Sequence, residues 1–373
     1  MHTEFAIVGG GLLGLSAAWA LTKRGHEVLV IDQAAIGHIA GGSHGTCRIF
    51  RLGYEQPAYV SLAMQARDTW AELEDVSGER LLHPTPQLTF GPQMGQVRDA
   101  LEQAGVPAET IDAAEAAERF PGVVVSGPVL LEQRSAVIAA DRALAVLARL
   151  GGPISEPTRV TAVAERGSLV RVSTADGDID ADRVIVCAGP STARLLAGAG
   201  ITLPGSASME QVAYLAPAGA GNGALQDGMP IFVHYGGEFP YGLPVPGSDK
   251  YKIGIHFGGP PVDPDRQDHT ENARLSEQIE QAARRFLPGF DPNPAAVERC
   301  IYDNSPDTDF IVDRIGSIVI GTGTSGHGFK FGPLIGEWLA WLATGADGAR
   351  AAAAGTTAVG PPPPWLALSR FAA

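Results

Sequence analysis

Glycines at positions 9, 11 and 14 stand between an apolar segment and a stretch with helical spacing. Gly9 permits a tight turn, Gly11 lets the backbone approach a pyrophosphate, and Gly14 allows close packing of a helix on a strand. The N-terminus of that helix offers free N–H groups and a positive dipole to phosphates. Asp32 ends the next apolar segment about 20 residues downstream, where a carboxylate binds a ribose hydroxyl. The glycines and Asp32 together predict a dinucleotide-binding turn rather than a structural one.

A second group of reactive residue types lies near the C-terminus, in Cys300 and the run Ser325-Gly326-His327-Gly328-Phe329-Lys330. The glycines of this run would let the backbone approach a flat ring. Lys330 and the N-terminal amides of the helix that follows would stabilise negative charge on that ring. From the residues alone, two simpler interpretations stay open: a buried free cysteine and an ordinary loop at a helix N-terminus.

Hydrophobic periodicity places these residues on strands and helices. We predict strands at residues 5–8, 27–31, 87–90, 159–163, 169–173, 183–187 and 317–321, and around Val212, Phe232 and Ile253. We predict helices at 12–24, 59–77, 141–150, 271–286 and 334–342, and a turn at 175–178. A β-meander that leads into a buried strand and Ala188-Gly189 favours a domain that binds FAD over one that binds NAD.

The predicted fold class is α/β, with a Rossmann-type FAD-binding domain that contains a β-meander and an α+β, sheet-based substrate domain. Both domains are discontinuous in sequence. We assign residues 1–82, 139–205 and 301–350 to the first domain and residues 83–138 and 206–300 to the second. Residues 351–373 form a C-terminal tail, whose stretch 351–364 is rich in alanine, glycine and proline and is expected to be poorly ordered.

Length and composition limit the classes of function. The 373 residues suffice for two domains, and the net charge of −14 argues against a nucleic-acid-binding protein, which usually carries a basic face. Three cysteines are too few for a disulfide scaffold and indicate a reducing compartment, so we expect a cytoplasmic protein. We find no secretory signal and no apolar run of membrane-spanning length, and we expect neither a membrane partner nor a metal site.

Several separated motifs resemble those of the monomeric sarcosine oxidase family, which includes N-methyltryptophan oxidase and pipecolate oxidase and belongs to the D-amino acid oxidase superfamily. The motifs are residues 9–14, 43–51 and 241–244, Lys252 with His256, Cys300 with the run to residue 313, and residues 325–330. They occur in matching order over about residues 5–343. Together they indicate the family but no single member. The resemblance implies a monomeric flavoprotein that oxidises amines.

The resemblance implies that FAD is attached covalently, through its 8α-methyl carbon, to the sulfur of Cys300. Lys330 matches a lysine at the N1/C2=O edge of the flavin, and Arg48 matches an arginine beside the isoalloxazine. The cofactor-binding residues that we expect are Gly9, Gly11, Leu13, Gly14, Asp32, Gln33, Ser43, His44, Arg48, Val160, Ala188, Gly189, Cys300, Gly326, His327, Gly328, Phe329 and Lys330.

The resemblance also assigns residues to the substrate and to oxygen. Arg51 and Lys330 match the two residues that bind the substrate carboxylate, which implies an amino acid rather than a simple amine. Lys252 matches the lysine that activates O2, because a fixed cation stabilises the superoxide made by the first electron. The expected substrate-binding residues are Arg51, Lys330, Tyr241, His256 and Cys47. The expected catalytic residues are Lys252, His256, Arg48 and Tyr241.

The chemistry implied is oxidation of a secondary or cyclic amino acid by hydride transfer from its α-carbon to FAD, with O2 as acceptor and an imine and hydrogen peroxide as products. One alternative is a FAD-dependent dehydrogenase that passes electrons to a quinone or a protein, which Lys252 disfavours. Another is a flavin-binding or assembly protein without catalysis. Differences from sarcosine oxidase at Cys47, at residues 239–240 and at residues 303–304 leave the identity of the substrate open.

Overall fold

Nineteen strands and eight α-helices form the fold in the residues that the structure describes. The structure, a computed structural model, describes residues 1–219, 228–345 and 359–372. The strands are β1 (His2–Val8), β2 (Val28–Ile31), β3 (Cys47–Phe50), β4 (Leu82–Pro84), β5 (Gln87–Phe90), β6 (Glu109–Ile111), β7 (Val129–Glu132), β8 (Ala136–Ala139), β9 (Ile154–Ser155), β10 (Val160–Arg166), β11 (Leu169–Thr174), β12 (Gly177–Val186), β13 (Ser206–Leu215), β14 (Ile231–His234), β15 (Pro240–Pro244), β16 (Tyr251–Ile255), β17 (Ala296–Asn304), β18 (Ile311–Ile315) and β19 (Ile318–Thr322). The helices are α1 (Leu12–Thr22), α2 (Pro57–Ser77), α3 (Met94–Gln103), α4 (Ala113–Arg119), α5 (Ala140–Leu150), α6 (Thr192–Ala197), α7 (Ala273–Phe286) and α8 (Gly332–Thr344).

The glycine turn belongs to an eight-stranded sheet with a parallel centre. Its strands follow the order β10-β11-β12-β1-β2-β9, with β19 beside β12 and β18 beside β19. The parallel strands β1 and β12 end at the same edge, where Gly9 and Ala188 follow them. Both faces of β1 are buried, because Ile7 packs toward α1 and α8 while Ala6 packs toward the meander strands β10 and β11. This edge is where a βαβ sheet binds a dinucleotide.

A second eight-stranded sheet carries most of the remaining predicted site residues. Its order is β17-β13-β16-β15-β14-β5-β7-β6, and its pairs are antiparallel except β14 with β5. Along β16, Tyr251, Ile253 and Ile255 pack into a core under α7. Because successive side chains of a strand point to opposite faces, Lys252 and Gly254 lie on the other face of the sheet.

A buried ion network joins α1, α2 and α8. The Nζ of Lys23 lies 2.6 Å from Glu72 and 2.7 Å from Glu337, and Arg24 lies 2.6 Å from Glu337. The Glu337 side chain is 1% exposed, and each of its carboxylate oxygens faces one of the two cations. A small antiparallel sheet, β3-β8-β4, completes the fold and carries Cys47 on β3.

The predicted fold class is confirmed, and the structure differs from several local predictions. Helix α1 ends at Thr22 rather than at residue 24, because the chain turns at Gly25 with a φ of +83°. The turn predicted at 175–178 is shorter, since Thr174 and Gly177 already pair in the hairpin of β11 and β12. Of the stretch expected to be poorly ordered, residues 351–358 lie outside the described residues, whereas Pro364 begins a 3-10 turn that buries Leu366.

None of the described helices combines the length and the apolar character that crossing a membrane requires.

Candidate active site

A cavity of about 520 Å³ runs from the glycine turn to the second sheet. The predicted site residues that line it are Gly9, Gly11, Leu13, Asp32, Gln33, Ser43, His44, Cys47, Arg48, Arg51, Val160, Ala188, Gly189, Tyr241, Lys252, His256, Cys300, Gly326, His327, Gly328, Phe329 and Lys330. Gly14 does not line the cavity; it lies beneath the turn, where a Cβ would meet the carbonyl oxygen of Gly9 at 1.9 Å. The structure therefore brings the separated motifs together, while the role of each residue stays a prediction.

The turn after β1 requires glycine for two separate reasons. Gly9 has a φ of +108°, and a Cβ there would lie 2.3 Å from the carbonyl oxygen of Cys187 at the end of β12. At Gly11, a Cβ would lie 3.0 Å from the hydroxyl of Ser43, which accepts a 3.0 Å hydrogen bond from the N–H of Leu12. The backbone is thus held open at the start of α1, the position suited to an anion.

Asp32 is held by donors from its own neighbourhood. Its carboxylate accepts hydrogen bonds from the N–H of Gly10 at 2.6 Å and from the N–H of Ala34 at 3.0 Å. The ring of His38 lies 2.9 Å from the same oxygen that Ala34 contacts. Burial alone would raise the pKa of Asp32, but the hydrogen bonds from His38 and the two amides lower it, so the group stays ionised. A ribose hydroxyl at Asp32 would share this carboxylate with His38, which was not among the predicted site residues.

One face of β17 presents three polar side chains to the cavity. Glu298, Cys300 and Tyr302 alternate along the strand and all line the cavity. Burial raises the pKa of the Cys300 thiol, and the nearby cations Arg48 and Lys252 act in the opposite direction. The net effect raises the pKa, because burial outweighs the two cations, so the free thiol favours its protonated form.

Lys252 faces the cavity from β16 and is 4% exposed. Its Nζ donates a 3.1 Å hydrogen bond to the carbonyl of Cys47 and lies 5.4 Å from the ring centre of Tyr214, its pairing partner on β13. Burial, with a smaller contribution from Arg48, lowers the pKa of Lys252 to about 8. The hydroxyl of Tyr214 donates to Glu298 at 2.9 Å, so the tyrosine is fixed beneath the lysine.

Arg51 and Lys330 meet at the ring of Tyr54. The guanidinium carbon of Arg51 lies 4.0 Å from the ring centre, and the Nζ of Lys330 donates a 2.8 Å hydrogen bond to the Tyr54 hydroxyl. Arg51 also donates to the hydroxyl of Tyr235 at 2.5 Å, and Lys330 donates to the carbonyl of His327 at 2.8 Å. Within the described residues, both cations donate only to neutral oxygens, and neither pairs with a carboxylate.

His256 and Tyr241 add neutral groups to this end of the cavity. The Nδ1 of His256 lies 3.3 Å from the hydroxyl of Tyr302. Burial, with Arg51 and Lys330, lowers the pKa of His256 to about 3, so the ring is neutral near pH 7. Burial raises the pKa of Tyr241, and a Cβ at Gly254, its partner on β16, would lie 2.8 Å from its hydroxyl. Glycine at 254 therefore leaves the space that this ring occupies.

Hydrogen bonds from Arg48 and His44 fix the loop that leads into β3. Arg48 donates to the carbonyl oxygens of Cys47 at 2.9 Å and of His44 at 2.5 Å. The ring nitrogens of His44 lie 2.8 Å from the carbonyl of Gly41 and 3.0 Å from that of Arg299. The guanidinium of Arg48 also lies 5.4 Å from the ring centre of Phe329, which joins this loop to the run that ends in Lys330.

The sequence did not predict a role for four polar residues that line the cavity, His38, Tyr54, Tyr235 and Glu298. It also did not predict Tyr214, which lies outside the lining and contacts Lys252 and Glu298. Tyr54 follows Arg51 by three residues, and this proximity was the one available signal. The two tyrosines from the second sheet reach the site only through strand pairing, which a single sequence does not reveal. Among the described residues, no group of three or more His, Cys, Asp or Glu side chains could hold a metal ion.

Comparison with known proteins decides the family. The model of the FAD-dependent oxidoreductase family matches residues 4–342. The chain belongs to this family. It is 32% identical to the peroxisomal sarcosine oxidase of Mus musculus over 354 residues, which cover 89% of this chain and 90% of that protein. It is 28% identical to the monomeric sarcosine oxidase of a Bacillus species over 362 residues, 92% of this chain and 93% of that one.

A solved structure extends the likeness to three dimensions. The open form of NikD, described as an unusual amino acid oxidase essential for nikkomycin biosynthesis, aligns with a TM-score of 0.81 and 25% identity. The alignment covers 92% of this chain and 94% of NikD. The α/β architecture of this FAD-dependent oxidoreductase is therefore shared with an amino acid oxidase.

The cavity fits the cofactor of the family. At one end, Gly9 and Gly11 leave the backbone open beside the start of α1, and the ionised Asp32 lies at the end of β2. At the other end, Arg48 and Lys252 supply positive charge next to Cys300. This distribution suits a ligand with a phosphate-bearing end and a ring that becomes electron-rich when reduced.

Proposed function

We propose that the protein is a FAD-dependent oxidase of a secondary or cyclic amino acid, with Cys300 as the covalent attachment point and O2 as the electron acceptor. The observation that carries the proposal is that Arg51 and Lys330 both contact the ring or hydroxyl of Tyr54 in the cavity. Within the described residues, both side chains donate hydrogen bonds only to neutral oxygens. A buried cation without an anionic partner is costly, and a substrate carboxylate would supply that partner. The sarcosine oxidases among the relatives support the same substrate class.

Carboxylate binding would use the two cations in different ways. Arg51 presents a planar guanidinium that is already held by the hydroxyl of Tyr235, and it suits a two-point contact. The Lys330 residue is only 4% exposed, and its burial together with the nearby charge of Arg51 lowers its pKa well below the ordinary value. An arriving carboxylate would favour the charged lysine again, so binding should take up a proton when Lys330 is neutral beforehand.

The amine of the substrate would lie among side chains that are uncharged near pH 7 and that do not readily take up a proton. His256 is neutral because burial lowers its pKa to about 3, and burial raises the pKa values of Tyr241 and Tyr302. These groups would orient a neutral amine and exclude water from the α-carbon. We therefore assign none of them as a general base.

FAD, when bound, would accept the hydride from the substrate α-carbon and pass two electrons to O2, which gives an imine and hydrogen peroxide. Lys252 would act on the oxygen side, because its charge is buried and fixed by the carbonyl of Cys47. Cys300 would hold the cofactor from the neighbouring strand β17, where Arg48 and Lys252 partly offset the effect of burial, which raises the pKa of its thiol.

We also propose the domain division predicted from sequence, with the first sheet in the FAD-binding domain and the second in the substrate domain. Strand β17 runs across the boundary at 300/301 and would connect the two. The Bacillus relative, named a monomeric sarcosine oxidase, supports a monomer.

A comparison of amino acids with the matching amines tests the proposal. Sarcosine, pipecolate, proline and other N-methyl amino acids would be screened for peroxide in air, each beside the amine that lacks the carboxylate. Two charge-assisted hydrogen bonds of about 1.5–3 kcal/mol each predict that removing the carboxylate lowers kcat/KM by at least about 100-fold. Equal activity toward the amines, or no peroxide from any amino acid, would overturn the proposal.

A further inference from the structure

Residues 359–372, here called the C-terminal segment, pack against the loop of residues 305–310. Leu366 is fully buried, and the ring of Trp365 meets the ring of Tyr59 edge-on with centres 5.4 Å apart. The N–H of Leu368 donates to Asp313 at 2.8 Å. The segment is therefore bound to the body of the protein by apolar and polar contacts.

Arg370 is the centre of this contact, because all five of its N–H groups have acceptors. Its Nε donates to Asp307 at 2.7 Å, and its Nη2 donates to the other oxygen of Asp307 at 3.0 Å and to the carbonyl of Asp309 at 2.9 Å. Its Nη1 donates to the carbonyls of Leu366 at 2.9 Å and Ala367 at 3.2 Å. One side chain thus fixes the residues on both sides of Thr308 to the C-terminal segment.

Thr308 lies between those two residues in a backbone conformation that threonine rarely adopts. Its φ is +66°, in the left-handed region that a β-branched residue avoids. Such a residue keeps this conformation only when its surroundings impose it. The carbonyl of Thr308 lies 3.0 Å from the Nε2 of His327, in the run that ends in Lys330. The strained residue therefore makes a direct contact with the edge of the active site.

A chain of hydrogen bonds links the carbonyl of Thr308 to Lys330 through His327 and Tyr54, and the donor of each bond can be assigned. A carbonyl only accepts, so the Nε2–H of His327 donates to Thr308, and the neutral ring then accepts through Nδ1 from the hydroxyl of Tyr54 at 3.2 Å. The oxygen of Tyr54 in turn accepts from the Nζ of Lys330 at 2.8 Å. Burial, with Lys330, lowers the pKa of His327, which agrees with a neutral ring.

We infer that the C-terminal segment positions Lys330 for the substrate carboxylate, through Arg370 and the backbone of Thr308. Arg370 acts through other residues and lines no part of the cavity, so it is a positioning residue and not a catalytic one. The inference rests on the proposed function, because that proposal makes Lys330 a ligand of the carboxylate. Nothing in the alanine- and proline-rich composition of residues 351–364 indicates such a role.

Acetate binding to the holoenzyme tests the inference, with Arg370→Gln as the main variant. Isothermal titration should give an acetate Kd about tenfold higher than in the wild type, the effect of misplacing about one charge-assisted hydrogen bond. Arg370→Lys keeps the positive charge but loses the planar guanidinium with its several donors, and it should show a smaller rise in the acetate Kd. The control is Arg284→Gln, which removes two hydrogen bonds from an arginine to one carboxylate oxygen of Glu280 on α7 and should leave the Kd unchanged.

Hydrogen exchange supplies a second readout that does not depend on the carboxylate. The amides of residues 305–310 and 325–331 should exchange faster in Arg370→Gln than in Arg284→Gln, at equal flavin content. An unchanged acetate Kd and unchanged exchange in Arg370→Gln would overturn the inference. If Arg370→Gln does not fold, the same two measurements on Arg370→Lys decide. If the wild type binds no acetate, the carboxylate site of the proposed function is wrong, and hydrogen exchange alone decides whether the segment orders residues 325–331.

Discussion

Replacing Lys252 by methionine should slow the reaction of the substrate-reduced enzyme with O2 and leave its reduction by substrate nearly unchanged. The Nζ of Lys252 is almost fully buried and bonded to the carbonyl of Cys47. A unit charge about 4 Å from a developing superoxide, at an effective dielectric constant of about 20, contributes about 4 kcal/mol. Because about 1.4 kcal/mol corresponds to a factor of ten, loss of the charge should slow reoxidation by roughly 100- to 1,000-fold.

The pKa of Lys252 adds a pH dependence to this prediction. Burial lowers that pKa to about 8, so the cation is lost as the pH rises through about 8. The rate constant with O2 should then fall about tenfold for each further pH unit. Lys252→Arg, which stays charged over this range, should abolish the decline.

Stopped-flow mixing of the anaerobically reduced enzyme with O2 measures both effects. The control is Lys250→Met, the same change two residues earlier on the chain at a position outside the cavity. A rate with O2 that is the same in Lys252→Met and Lys250→Met would refute the reasoning. So would a wild-type rate that does not change between about pH 7 and about pH 9.5.

Three further predictions concern the cofactor, the substrate and the fold. Cys300→Ser should release all flavin into the supernatant after acid precipitation, while the wild type keeps it in the protein pellet; flavin in the wild-type supernatant would contradict the tether. Arg51→Gln should raise the KM for the amino acid by about 10- to 100-fold, because one charge-assisted contact is worth about 1.5–3 kcal/mol; an unchanged KM would exclude Arg51 from carboxylate binding. Glu337→Gln should lower the free energy of unfolding by about 1.5–3 kcal/mol, measured in urea, because Arg24 loses its carboxylate partner while Lys23 keeps Glu72; a loss below about 0.5 kcal/mol would contradict that view of the network.

The sequence predicts the parts of this protein that follow local rules. The glycine turn, Asp32 and the parallel strands around them are encoded by short-range spacing, and the structure places them as expected. The separated motifs around Lys252, Cys300 and Lys330 were collected by resemblance to a family, and the structure places all three in one cavity.

What the sequence did not predict depends on contacts between distant segments. Tyr214 lies beneath Lys252 because β13 and β16 pair in one register, and a shift of one residue would turn it to the other face. The C-terminal segment is a second case, because Arg370 meets Asp307 and Asp309, which lie 63 and 61 residues earlier in the chain. Long-range pairing of this kind has no signature in local composition.

Anaerobic titration with an amino acid, followed by admission of air, is the most direct test of the central claim. Sarcosine, pipecolate or a related secondary amino acid should bleach the yellow flavin completely without O2. The colour should return in air with one hydrogen peroxide for each amino acid consumed. A flavin that no amino acid bleaches would contradict an amino acid oxidase, and so would a bleached flavin that passes its electrons only to an added quinone and forms no peroxide.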